Sequence, residues 1–102
     1  MSLDLQSSNT YPKVKVFTAN QTATEIQLPK TARKVTIGCE QHEIHWSDTG
    51  TDGVILGNDK VPLPAGSYMQ VHLAKGRNRS PNIYIATKSS SSADVVLIFE
   101  EE

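Results

Sequence analysis

The fold of this chain is decided by the stretch NIYIATKSSSSADVVLIF, residues 82–99. Its first part alternates isoleucine with tyrosine or alanine, which is the pattern of a strand with two different faces. Short polar residues at 88–93 predict a turn, and the run at 95–99 is then apolar at five consecutive positions. Such a strand is stable only when both faces are covered, so the rest of the chain or a neighbouring subunit has to supply the covers.

The segments that precede this stretch show the same period of two. Strands are predicted at residues 13–18, 24–28, 34–38, 42–47, 54–56 and 67–73, and residues 61–66 are predicted as an extended edge or a connection because they contain two prolines. The side chains expected to face inward are Val14, Val16, Ile26, Leu28, Val35, Ile37, Ile44, Trp46, Met69, Val71 and Leu73. With no competing helical period, the sequence predicts an all-β fold, an antiparallel β-sandwich of about eight short strands, Ig-like or jelly-roll.

A length of 102 residues predicts a single domain. Residues 1–12 are polar and aperiodic apart from Leu3 and Leu5, and they are predicted to form a flexible N-terminal arm. The alternative is an arm that is ordered by a neighbouring subunit. The β-sandwich domain is then expected to span residues 13–102.

The charge balance and the cysteine count narrow the classes of partner and compartment. A formal net charge of −1 gives the chain no global attraction to nucleic acid or to an anionic membrane. A single cysteine, Cys39, excludes an internal disulfide framework and suits a reducing compartment. No apolar run resembles a leader peptide or a membrane span, so neither is expected.

The residue types that carry catalysis or bind metals are present, but their spacing does not predict a site. Cys39, His42, His45 and Asp48 follow at intervals of three, whereas an extended strand would place Cys39 and His45 on one face and His42 on the other. Calcium binding by Asp48, Asp52 and Asp59 is an alternative to simple turn chemistry. We therefore predict no catalytic, cofactor-binding or metal-binding residue, and no enzyme.

The most distinctive polar feature is a basic loop that contains Lys75, Arg77 and Arg79. It could bind a phosphate, an acidic glycan or an acidic patch on another subunit, or it is simply a solvated loop. We assign Lys75, Arg77, Arg79, Leu3, Leu5 and Tyr84 as candidate partner-binding residues.

The half of the chain from Val61 onward resembles a known class of protein. Its features are PAG at 64–66, NIYIAT at 82–87, a turn of small residues and ADVVLIFE at 93–100, and VTIG at 35–38 with WSDTGTDG at 46–53 is in keeping with them. This pattern resembles the small β-sandwich structural proteins of tailed bacteriophages, which commonly close with a hairpin of this kind. The resemblance implies a multicopy, oligomeric accessory protein of the virion, and it carries over no functional residues.

The function expected from this resemblance is assembly: head decoration, a head fibre or knob, or a tail component. The expected partners are the chain itself and other virion proteins such as capsid or tail subunits, with no nucleic acid, membrane or cofactor, and the expected location is the virion after assembly in the host cytoplasm. The alternative is a carbohydrate- or receptor-binding β-sandwich, which needs outward aromatic side chains. Only Tyr11, Tyr68 and Tyr84 are expected to point outward, because Trp46 and Phe99 are expected in the core. A housekeeping β-domain outside any virus is a third possibility.

Overall fold

The fold consists of strands and their connections. The computed structural model describes residues 2–5, 13–29, 31–73 and 82–101, and within these ranges there is no helix. The strands are β1 (Ser2–Asp4), β2 (Lys13–Ala19), β3 (Thr24–Gln27), β4 (Ala32–Cys39), β5 (Ile44–Ser47), β6 (Val61–Leu63), β7 (Tyr68–His72), β8 (Asn82–Thr87) and β9 (Ala93–Glu101). The prediction of an all-β fold is confirmed.

The nine strands form two sheets. The five-stranded sheet has the order β1-β3-β8-β5-β6, and the four-stranded sheet has the order β2-β9-β4-β7. Every pair is antiparallel except β1 with β3, which run parallel, so the prediction of purely antiparallel pairing is wrong at that edge.

The core lies between the sheets, because buried side chains from both sheets belong to one cluster. The five-stranded sheet contributes Ile26, Ile44, Leu63, Ile83 and Ile85, and the four-stranded sheet contributes Val35, Ile37, Cys39, Val95, Leu97 and Phe99. The Cα radius of gyration is 12.6 Å, close to the roughly 13 Å of a compact domain of about 100 residues. This arrangement is consistent with a β-sandwich.

The two strands of residues 82–99 do not pair with each other, so they do not form a hairpin. β8 lies between β3 and β5, whereas β9 lies between β2 and β4 in the other sheet. The serine-rich turn between them therefore crosses from one sheet to the other. Each strand is apolar enough to occupy an interior position with a partner on both sides, and this placement pairs more of its backbone than a terminal hairpin would.

Two further strand predictions are corrected. Residues 54–56 do not form a strand, although the edge predicted within 61–66 is present as β6. Residues 2–4, expected in a flexible arm, instead form β1 in register with β3, and the N–H of Leu5 donates to the carbonyl of Gln27 at 2.9 Å. The remainder of the predicted arm, residues 6–12, lies outside the described residues.

The orientation of β2 is the reverse of the prediction. Val14 and Val16, expected in the core, are 56% and 55% exposed. Lys15 pairs with Leu97, whose side chain is fully buried, so the odd-numbered residues of β2 face the core side. Phe17 and Ala19 share that parity, and they pack against the core or within it. Burial of Phe17 and Ala19 therefore fixes the register, and the two valines face outward.

Candidate functional site

Three of the predicted partner-binding residues, Lys75, Arg77 and Arg79, lie outside the described residues. The structure places the other three within the body of the protein. Leu5 is buried in the main core, and Leu3 packs against it. Tyr84, expected to point outward, is only 8% exposed. The apolar surfaces of Leu5 and Tyr84 are thus covered by the chain's own residues and are not open to a partner.

The outer face of the five-stranded sheet is covered by residues 48–60, which we call the cover loop. Tyr84 and Ala86 project from β8 on this face and form a second buried cluster with Ala23 and Leu56. Two backbone hydrogen bonds fasten the loop: Ala23 N–H donates to the carbonyl of Val54 at 2.8 Å, and Gly53 N–H donates to the carbonyl of Ala23 at 2.9 Å. Gly53 has φ +78°, a turn conformation that glycine adopts without strain. The chain therefore supplies its own cover on this side.

A polar network surrounds Tyr84 beneath the cover loop. Its hydroxyl donates to Glu25 Oε2 at 3.0 Å, and Gln27 Nε2 donates to Glu25 Oε1 at 2.6 Å. Burial, and then the hydrogen bond to Glu25, raise the pKa of Tyr84. Asp52 Oδ1 accepts from the backbone N–H of Glu25 at 3.0 Å, and this bond lowers the pKa of Asp52. Asp52, considered above as a calcium ligand, thus joins the cover loop to β3.

The outer face of the four-stranded sheet has a different character, because apolar side chains stand on it partly exposed. Val14 pairs with Ile98, and Val16 pairs with Val96, so the four side chains form a contiguous block on the outer side of β2 and β9. The two valines of β2 are more than half exposed, and Val96 and Ile98 are half-buried. We call this block of four residues the valine face.

The neighbouring strands extend this surface with smaller or more polar groups. In β4 the outward residues beside the valine face are Thr36 and Gly38, and their partners in β7 are Gln70 and Tyr68. The ring of Tyr68, 54% exposed, lies over Gly38, where a methyl group would overlap the ring. The absence of a side chain at position 38 therefore leaves room for the Tyr68 ring beside the valine face.

Both ends of this surface are polar. At one end Lys34 Nζ lies 2.9 Å from Glu100 Oε2, and the hydrogen bond from Lys34 lowers the pKa of Glu100. At the other end Thr18 Oγ1 donates to Asp94 Oδ1 at 3.0 Å, and Gln41 Nε2 donates to Asp94 Oδ2 at 3.2 Å. An apolar centre with a polar rim is the usual anatomy of a protein–protein contact surface.

The cysteine and histidine candidates are not assembled into a site. Cys39 lies on the core side of β4, whereas His45 lies on β5 in the other sheet, 3.1 Å from Glu43 Oε2. β4 ends at Cys39 and β5 begins only at Ile44, so Cys39 and His45 lie on different strands and are not brought together. Among the described residues no group of three or more His, Cys, Asp or Glu side chains could hold a metal ion.

We expect Cys39 to resist thiol reagents in the native state. Its side chain is fully buried, its sulfur lies 3.2 Å from the carbonyl oxygen of Pro64, and burial raises its pKa. Modification by a disulfide reagent should be slower than in the unfolded chain by on the order of a hundredfold or more, because it requires opening of the core. Measuring the rate with and without denaturant tests this. Equal rates would contradict the buried position.

A small cleft lies beside the cover loop on the five-stranded sheet. It has a volume of about 150 Å³, and its lining includes His45, Leu56, Lys60 and Lys88. Pockets for organic ligands usually measure about 300–1,000 Å³. The cleft is therefore too small to hold a typical ligand, and the valine face is the stronger candidate site.

Comparison with known proteins gives no relative from which a function can be transferred. No protein-family model matches the chain, and neither a curated protein nor a solved structure matches it. Within the described residues no helix is long and apolar enough to cross a membrane. The functional proposal accordingly rests on the residues and on the fold.

Proposed function

We propose that this chain is a non-enzymatic structural protein of a bacteriophage virion, acting through contacts between subunits. Head decoration, a head fibre or knob, and an accessory tail component are the roles within this class. The proposal includes a sandwich of the Ig-like or jelly-roll kind, assembled in the host cytoplasm together with capsid or tail subunits. The single observation that supports it most is the valine face, an apolar surface that described residues of the chain leave partly exposed.

Burial of the valine face by a partner would favour assembly. Apolar side chains at the centre of a polar-rimmed surface gain free energy when a partner removes them from water, at about 25 cal/mol per Å² of apolar area. A soluble monomer gains nothing from such a patch, and contiguous exposed patches usually mark an interaction site. The valine face is built on two paired strands, β2 and β9, so it is held rigidly enough for a specific contact.

The alternative of a carbohydrate-binding module has less support. Sugar rings stack on outward aromatic side chains, and of the tyrosines expected to serve this purpose Tyr84 is buried under the cover loop. Tyr68 is exposed, and Tyr11 lies outside the described residues. A single tyrosine beside four aliphatic side chains is a better match for a protein surface than for a glycan platform.

We expect the chain to be a fixed component of phage particles. The test is quantitative mass spectrometry of particles purified by density gradient from cells that carry its coding sequence. The chain should remain in the particle fraction at a constant ratio to the major capsid protein, while an abundant host protein serves as the control for contamination. Recovery of the chain only in the soluble fraction would overturn the proposal.

A further inference from the structure

We infer that the valine face is the contact between two copies of this chain, packed with one four-stranded sheet against the other. This inference rests on the proposed function, because it names the partner of the same surface. The resulting assembly would have four layers, with the two four-stranded sheets inside and the two cover loops outside.

The two outer faces of the fold differ in how far they are covered. On the five-stranded sheet the side chains of β8 that point away from the core are covered by the cover loop. On the four-stranded sheet the corresponding side chains of β9, Val96 and Ile98, remain half-exposed beside two valines of β2. A strand that is apolar on both faces requires a second cover, and another four-stranded sheet presents the matching apolar surface.

Pairing of two copies through their sheet edges is disfavoured by a charged side chain. β2 is an edge strand, so it could in principle pair with β2 of another copy. Lys15 lies on the core-facing side of β2. Its side chain is nevertheless exposed, because β2 is the edge strand of the sheet. Edge-to-edge pairing would enclose the ammonium group of Lys15 within a continuous core. An inward-pointing charge on an edge strand is a common feature that prevents such pairing. Packing through the face leaves Lys15 in solvent.

The charges of the chain also permit contact between two copies. The chain has a formal net charge of −1, so two copies do not repel each other strongly. On the surface itself Lys34 and Glu100 neutralise each other, and their side chains remain 28% and 40% exposed. These groups lie at the end of the apolar block, so neither leaves an unpaired charge within it. The surface is therefore compatible with a copy of itself.

The size of the whole outer face of the four-stranded sheet, of which the valine face is the apolar part, sets the expected strength of the contact. Four strands about 4.8 Å apart, with seven residues rising about 3.3 Å each, span roughly 19 by 23 Å, or on the order of 400 Å² per copy. Two such faces bury on the order of 900 Å², near the lower limit of specific interfaces at about 1,000 Å². We therefore expect a dimer with a dissociation constant in the micromolar range, which is sufficient for a protein present in many copies on one particle.

Sedimentation velocity of the full chain over a range from micromolar to about 500 µM tests the inference directly. The wild type should change from monomer to dimer with concentration. Val16→Lys should raise the dissociation constant at least tenfold, because it places a charge within the apolar block of the contact. The matched control is Ile55→Lys, since Ile55 is 63% exposed on the cover loop, and it should change the constant less than twofold. Unchanged melting temperatures would confirm that both variants are folded.

Cross-linking gives an independent readout of the same contact. Because Cys39 is buried, Val16→Cys and Ile55→Cys each introduce one accessible thiol. A flexible bis-maleimide should link Val16→Cys into a covalent dimer and leave Ile55→Cys mainly monomeric.

Several results would overturn the inference. They are a wild type that remains monomeric throughout the concentration range, a dimer that Val16→Lys does not weaken, an odd-numbered oligomer, or cross-linking at position 55 in place of position 16. None of these depends on whether the chain is found in particles. A chain that dimerises through the valine face but is missing from particles would refute the virion role alone.

Discussion

Leu97→Asp is expected to abolish folding of the domain. Leu97 is fully buried in β9, where it stands between Lys15 of β2 and Ile37 of β4. Truncating a buried leucine costs about 2–5 kcal/mol, and taking a carboxylate into the apolar core costs several kcal/mol more. The free energy of unfolding of domains of this kind is only about 5–15 kcal/mol, so the substitution removes most or all of it.

The measurement is circular dichroism with a urea titration of the purified variant. We expect no cooperative transition, or recovery only as insoluble protein. The matched control is Val14→Asp, which introduces the same side chain on the outer side of the same sheet, where the valine is more than half exposed. At protein concentrations below the dissociation constant of the dimer, where the valine face is open in both proteins, that variant should unfold cooperatively near the wild-type midpoint. A folded Leu97→Asp variant would contradict the assignment of residue 97 to the core.

Tyr84→Ala is expected to destabilise the domain by about 3–5 kcal/mol, the usual cost of removing a buried aromatic ring. The ring is packed beneath the cover loop, with Gly50 against it and Leu56 in the same cluster. Its loss leaves a cavity under the loop and frees Glu25 from its hydrogen bond with the hydroxyl group. The loop should therefore loosen in addition to the global loss of stability.

Two control substitutions distinguish the effect of losing the ring of Tyr84 on stability from two other effects. These are the loss of the hydroxyl group and the removal of a tyrosine in general. Tyr84→Phe removes only the hydrogen bond to Glu25, so it should cost about 1 kcal/mol. Tyr68→Ala removes an exposed tyrosine and should cost less, about 0.5 kcal/mol. Urea titrations give the free energies of unfolding, and limited proteolysis followed by mass spectrometry reports cutting within residues 48–60. If Tyr84→Ala and Tyr84→Phe were equally stable, the ring would not be supporting the loop.

The sequence predicted most of the strands, because alternation of apolar and polar side chains is a local signal. It predicted β2 as a strand but reversed its faces. The pattern of lysine and valine favoured burial of the valines, whereas Phe17 and Ala19 have the opposite parity and bury against Val95 and Ala93 of β9. Which set is buried depends on the partner strand, and strand pairing cannot be read from one segment alone.

The features that could not be predicted from the sequence all depend on tertiary contacts. β1 is three residues long and owes its strand conformation to pairing with β3. The cover loop looks like any polar turn, and only its docking on Tyr84 explains why an expected outward tyrosine is buried. The valine face did leave a signal, since five consecutive apolar residues in β9 indicated a strand that needs two covers. What the sequence did not reveal was which of the two faces stays open.

The position of β9 has a consequence for the order in which the protein can fold. This strand is interior to the four-stranded sheet, yet it pairs Ala93 with Ala19 and Phe99 with Lys13, across most of the chain. Contacts so distant in sequence close late, which places the domain among the slow-folding β topologies, with times of milliseconds to seconds. A growing polypeptide on the ribosome therefore holds β2 and β4 without their shared partner until residues 93–101 have emerged. During that interval the open edges of both strands are exposed to the cell's chaperones.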